Sequence, residues 1–125
     1  MKELVLQFLD YLRSQKKYSI NTLQAYASDL FYFLNFLEQK KEAALSFEKI
    51  SVETFRSYLS HLAEGGNTPR SISRKFSSLR SFSKYLMKHH GVKEVALSQL
   101  KKIKFIKSVI TFLKNFKVKI LLIGF

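Results

Sequence analysis

Cysteine and tryptophan are both absent from the 125 residues. Without a thiol there is no disulfide framework, no cysteine nucleophile and no cysteine metal site. Histidine is scarce: His61, His89 and His90 are too few and too scattered for a zinc site. Their places, late in a helix or at a helix end, suit cations that face a helix dipole. With a single proline, Pro69, and four glycines, the turn signals that would join strands into hairpins are missing. No run of 18 uncharged apolar residues occurs, so no membrane span is expected. The opening MKELVLQFLDYLRSQKK places two acids among its apolar positions and has no small-residue cleavage site, unlike a signal peptide.

Acid is scarcest in the second half. Residues 1–64 hold 8 Lys+Arg and 8 Asp+Glu, which cancel; residues 65–125 hold 14 Lys+Arg and one acid, Glu94, so 14 − 1 gives the whole net charge of +13. Such asymmetry points to nucleic acid or an anionic membrane surface as the partner. Apolar residues make up 46% of the chain and include twelve Phe, enough for the core of one domain.

Read in order, the chain is a series of amphipathic helices. Glu3–Ser14 carries Val5, Phe8, Leu9 and Leu12 on one face, and Gln15–Tyr18 is a short polar connection. Ser19 starts a second helix that runs to about Gln39, with Leu23, Tyr26, Ala27, Leu30, Phe33, Leu34 and Leu37 as its stripe. Lys40–Ile50 reads as an irregular connection. Ser51 caps a third helix over Val52–Glu64, whose stripe is Val52, Phe55, Tyr58, Leu59 and Leu62. Gly65-Gly66-Asn67 stops it, and Thr68-Pro69 starts a fourth helix that Gly91 closes. A short fifth helix is expected over Val95–Leu100. The fold class is therefore all-α: an orthogonal bundle of four to five helices arranged as two helical hairpins. Residues 105–125 differ in character. The stretch from Lys101 onward has seven Lys and no acid, and its period is ambiguous, helical over Ile106–Phe116 and strand-like over Phe116–Ile120.

The stretch Thr68–Lys88 carries the strongest local signal. Ile72, Phe76, Leu79, Phe82 and Leu86 form one apolar stripe. Arg70, Arg74, Ser77, Ser81, Lys84 and Lys88 gather opposite it, with Ser73 and Arg80 on one shoulder. A solvated helix face ordinarily mixes Glu with Lys at i,i+4, yet this helix has no acid at all, which suggests an anionic partner. At ~1.5 Å per residue its 21 residues span roughly 32 Å, close to one turn of B-DNA. The outer face of the second helix has little charge: Asn21, Gln24, Ala25, Ser28, Tyr32 and Asn35. Amides make bidentate contacts to adenine, and small side chains let a backbone approach base edges; residue types alone leave open that this is simply a neutral surface.

Catalytic constellations are missing. Gly65-Gly66 lacks the Lys and the spacing of a phosphate loop. The serines have no positioned base, and Asp29 reads as a structural carboxylate. No cofactor or metal is called for, and the chain is not expected to be an enzyme.

Two motifs carry a family resemblance. Tyr18-Ser-Ile-Asn-Thr22-Leu-Gln-Ala-Tyr26-Ala-Ser-Asp29-Leu30, followed by Phe33 and Phe36-Leu37, resembles the opening of the N-terminal core-binding (SAM-like) domain of Xer-type tyrosine recombinases. Pro69-Arg-Ser-Ile-Ser-Arg74-Lys-Phe-Ser-Ser-Leu79-Arg80-Ser-Phe82-Ser-Lys-Tyr85-Leu86 resembles that domain's last long helix. The resemblance covers roughly residues 1–104, leaving 105–125 as a basic apolar tail. It implies sequence-specific binding of double-stranded DNA at a recombination site, with the second and fourth helices reaching the major groove. It also implies other recombinase protomers as partners and a place in the cytoplasm. The matching positions make Ser19, Asn21, Thr22, Gln24, Tyr26 and Ser28 the DNA-binding candidates of the second helix. Those of the fourth are Arg70, Ser71, Arg74, Ser77, Arg80 and Lys84. Family members continue into a catalytic domain with a Tyr nucleophile, and Tyr11, Tyr18, Tyr26, Tyr32, Tyr58 and Tyr85 all fall in the helical body instead. The expectation is a truncated recombinase, with a stand-alone accessory DNA-binding protein or a basic membrane-surface protein as the competing readings.

Overall fold

The computed structural model describes residues 1–42, 46–93 and 96–99. Among them are four α-helices and no strand: α1 Lys2–Ser14, α2 Ile20–Gln39, α3 Val52–Glu64 and α4 Pro69–His89. The tail over 105–125, with its helix and strand alternatives, lies outside the described residues.

Three of the four helix starts are fixed by the local chemistry expected of them. The Ser19 hydroxyl accepts from the Thr22 N–H at 3.2 Å, Ser51 from Thr54 at 3.2 Å and Thr68 from Ser71 at 3.2 Å. Each cap is worth about 1 kcal/mol against alanine. Pro69 occupies the first turn of α4, where its missing N–H leaves no bond unmade. At the end of α3 the left-handed residue is Gly66, at φ +88°. A Cβ there would meet nothing within 4 Å, so backbone conformation rather than space favours glycine. Asn67 then folds back, its N–H and its side-chain Nδ2 both donating to the Leu62 carbonyl, at 3.1 and 3.0 Å.

The expected stripes meet in one core. It joins Val5, Phe8 and Leu12 of α1, Leu30, Phe33, Phe36 and Leu37 of α2, the α3 stripe from Phe55 to Leu62, and Ile72, Phe76, Leu79, Phe82 and Leu86 of α4. Phe33 sits at its middle, stacked on Phe55 at 5.5 Å and edge-on to Tyr58 at 4.8 Å. Leu9, Leu23, Tyr26, Ala27, Leu34 and Val52 are only half-buried, at the margin of the core. Two elements differ from expectation. The connection before α3 is not merely irregular: a 3₁₀ turn at Phe47–Lys49 buries Phe47 and Ile50, and the Phe47 ring meets Phe82 edge-on at 5.2 Å. The short fifth helix is instead a 3₁₀ turn at Ala96–Gln99 that buries Leu97, while Val95 and Leu100 lie outside the described residues. α1 packs on α2 and α3 on α4, and the two pairs meet where α4 packs on both α2 and α1.

Candidate nucleic-acid interface

The seam between α2 and α4 is where the candidate residues gather, and its centre is a carboxylate. Asp29 is 1% exposed, the only charged side chain buried to that degree among the described residues. Its Oδ1 accepts from Arg74 Nη2 at 2.9 Å and from Lys75 Nζ at 3.4 Å, and its Oδ2 accepts from Ser78 Oγ at 2.7 Å. These three bonds cross 45 to 49 residues of sequence and lock α2 to α4. The acid-free composition of α4 therefore has two causes. Part of its positive charge answers an anion inside the protein, contributed by α2; the rest faces outward.

The outward part is well defined. Arg70, Arg74, Ser77, Lys84 and Lys88 are exposed on α4, while Asn21, Gln24 and Ser28 are exposed on α2. Lys75, by contrast, is turned in. Its side chain is 11% exposed, and its ammonium lies 5.0 Å from the centre of the Tyr32 ring, a cation–π distance. Nearer the N-terminus of α2 the helices are bridged by Tyr26, whose hydroxyl reaches Ser81 Oγ at 3.5 Å. Its ring meets Phe8 edge-on at 5.9 Å, so Tyr26 is a core-edge residue that shows only its hydroxyl side to the seam. Beside it opens a cleft of about 330 Å³ lined by Lys16, Tyr18, Tyr26, Lys84 and Lys88 among others. That cleft brings the start of α2 to the C-terminal half of α4.

Some candidates are already engaged. Ser19 and Thr22 share a hydroxyl contact of 3.0 Å in the α2 cap. Ser71 Oγ donates to Asn67 Oδ1 at 3.4 Å, behind the α4 cap. Arg80 stands apart from the others. It is half-buried, and one guanidinium nitrogen is sealed from solvent with no hydrogen-bond partner among the described residues. Burial pulls its pKa below the ordinary arginine value. The shoulder position read from the helix wheel is thus a half-buried one.

The geometry also adds residues that residue type did not single out. Ile20, at the first position of α2, is 73% exposed, and Tyr18 just before it is 39% exposed. An apolar side chain beside Asn21 breaks the α2 pattern, and that break is the signal available in the sequence. Asp29 had a signal too: it is an acid on α2 in front of a helix that has none. Among the described residues no cluster of His, Cys, Asp or Glu is arranged to hold a metal, and no helix is long and apolar enough to cross a membrane. What the two helices that form the seam offer chemically is exposed cations, amides and hydroxyls, groups suited to phosphates and base edges.

No solved structure matches the chain. A tyrosine recombinase XerC of Listeria monocytogenes (strain HCC23) is 38% identical over 88 residues, covering 70% of this chain and 29% of that protein. The Leptospira interrogans XerC (serovar copenhageni) is 37% identical over 119 residues, covering 94% of this chain and 36% of that protein. At 94% coverage that alignment necessarily enters residues 105–125. The Bacillus pumilus XerC is 38% identical over 93 residues, 74% of this chain and 30% of its own length. The chain thus spans about a third of the length of these relatives. Residues 5–90, which hold all four helices but the first turn of α1, match the family described as "Phage integrase, N-terminal SAM-like domain". The chain therefore belongs to the phage integrase N-terminal SAM-like family.

Proposed function

We propose that this chain is a sequence-specific binder of duplex DNA, the core-binding domain of a Xer-type tyrosine recombinase acting in DNA integration or chromosome dimer resolution. The observation that carries the reading is the α2–α4 seam. An acid-free cationic face lies beside a neutral amide face, and Asp29 fixes the two at a set spacing. Arg70, Lys84 and Lys88 supply phosphate contacts, and the positive end of the α2 dipole beside Lys16 adds to them. Asn21, Gln24 and Ser28 face base edges. Ser19, Thr22, Ser71 and Ser77 contribute hydroxyls, and Tyr26 acts from the core edge. Residues 1–104 carry this grip, in the cytoplasm where the DNA is, and no strand-cleaving role is assigned to them. Other recombinase protomers bound to the same site are the expected protein partners.

Titration of fluorescent duplexes tests the proposal. A two-fold symmetric recombination site should be preferred over scrambled duplex. For about four phosphate contacts, affinity should fall roughly 150-fold between 50 and 200 mM salt. Equal binding to every duplex, or binding to anionic vesicles in place of DNA, would overturn it.

A further inference from the structure

We propose that Arg74 reads a guanine edge in the major groove and that Asp29 is the positioning residue that aims it. This rests on duplex docking across the α2–α4 seam, and it names one base contact within that surface.

The geometry separates orientation from charge. Asp29 cannot turn, because each of its oxygens is held: Oδ2 by Ser78 at 2.7 Å, Oδ1 by Arg74 at 2.9 Å and by Lys75 at 3.4 Å. Lys75 is the inward cation and balances the carboxylate. Arg74 is the outward one, with its side chain 56% exposed. One of its terminal nitrogens is anchored, and more than half of the side chain is open to solvent. A phosphate oxygen makes little demand on orientation and is served by any flexible Lys or Arg. A guanidinium tethered at one nitrogen before DNA arrives has fewer directions open to it and suits a target that needs two parallel donors. Guanine N7 and O6 are the base-edge acceptors that match that fork. The surroundings permit close approach: Ser77 stands one turn along α4, and Ala25 and Ser28 flank Asp29 on α2. The charge arithmetic also allows it. One carboxylate faces two cations, so the cluster keeps a net charge of +1 for the electronegative groove.

The test uses the full 125-residue chain. Wild type, Arg74→Ala, Arg74→Lys and Asp29→Asn each select duplexes from a randomised pool, with circular dichroism and thermal melting as the check on folding. Wild type should enrich a motif with guanine at one fixed position, and replacing that guanine should weaken binding about 10-fold or more. Guanine carrying carbon in place of N7 should bring a loss of the same order. Arg74→Ala and Arg74→Lys should erase the preference at that position alone. Asp29→Asn should erase it too while leaving the salt slope of binding unchanged, because Arg74 keeps its charge; a purely structural Asp29 would not produce that split. Should Asp29→Asn fail to fold, Ser78→Ala frees one carboxylate oxygen and should weaken the same preference in part. If folded Asp29→Asn and Arg74→Ala keep the wild-type motif, the inference falls alone. It also falls if Arg74→Ala weakens every duplex equally and lowers the salt slope by about one, the behaviour of a phosphate contact. A wild type that enriches no duplex overturns the DNA reading and this inference together.

Discussion

α1 and α3 treat charge differently from α2 and α4. On α1, Arg13 pairs with Asp10 at 2.7 Å one turn away, with both side chains about two-thirds exposed. α3 likewise carries Glu53, Arg56 and Glu64 on one helix. Both helices mix the two signs, α1 summing to zero and α3 to −1, as surface helices facing water do. α4 has cations without acids, α2 has a face with amides and little charge, and the balance is struck across the seam by one buried carboxylate. On α1 and α3 each helix carries its own counter-charges. The seam pairs Asp29 with Lys75 inside and is left positive outside, as the proposed DNA contact requires.

The contrast between the two ion pairs gives the largest expected effect. Asp29→Ala should destabilise the fold by about 3 kcal/mol, because Lys75 would be left largely buried without its partner. Asp10→Ala removes a shorter bond, yet should change stability by less than about 0.5 kcal/mol because solvent screens it. Urea unfolding of both variants decides the point; equal effects would break the distinction. Next in size is DNA affinity. Replacing Arg70, Lys84 and Lys88 with Gln should lower the salt slope by about three and cut affinity on the order of 100-fold at moderate salt. A Lys2/Arg13 double replacement on α1 should leave binding within about two-fold, and a large loss there would move the interface off the seam. Asn21→Ala and Gln24→Ala sharpen the division of labour. Each should relax base preference by about 1–3 kcal/mol at one position with the salt slope unchanged, measured by competition between point-substituted duplexes.

The helices and their faces were legible in the sequence because their causes are local. Ser19, Ser51 and Thr68 each cap a bond three residues away, and the stripes repeat every three or four residues. What was not legible depends on contacts far apart in the chain. Asp29 could be read as structural, but not as the anchor of Arg74 and Ser78, which lie 45 and 49 residues on. Phe47 and Ile50 sit in a connection with no period, and for Phe47 it is Phe33 of α2, Phe55 of α3 and Phe82 of α4 that make the buried place. Arg80 shows the limit of a helical wheel. Its angle puts it on a shoulder, and packing decides which way a shoulder faces.

A smaller effect than that of Asp29→Ala probes the core beneath the seam. The Tyr58 hydroxyl is buried with no hydrogen-bond partner among the described residues. Burial pushes its pKa far above the ordinary value of 10, with Tyr32 and Asp29 adding to the rise. Burial raises Tyr85 in the same direction. The unfolded chain ionises these phenols near pH 10 while the folded chain keeps them protonated. Folded protein then binds more protons than unfolded, so their contribution to stability is flat below about pH 9 and falls as pH rises through 10. Tyr58→Phe should raise stability by about 1 kcal/mol at neutral pH and make the alkaline decline shallower. A destabilised variant would mean that the hydroxyl has a partner.

Amide chemical-shift mapping of the chain with a selected duplex addresses the comparison most directly. Docking on the seam predicts the largest shifts over residues 19–28 of α2 and its cap and over residues 70–84 of α4, with the outer faces of α1 and α3 unmoved. Shifts concentrated on α1 and α3, with α2 and α4 unchanged, would contradict it.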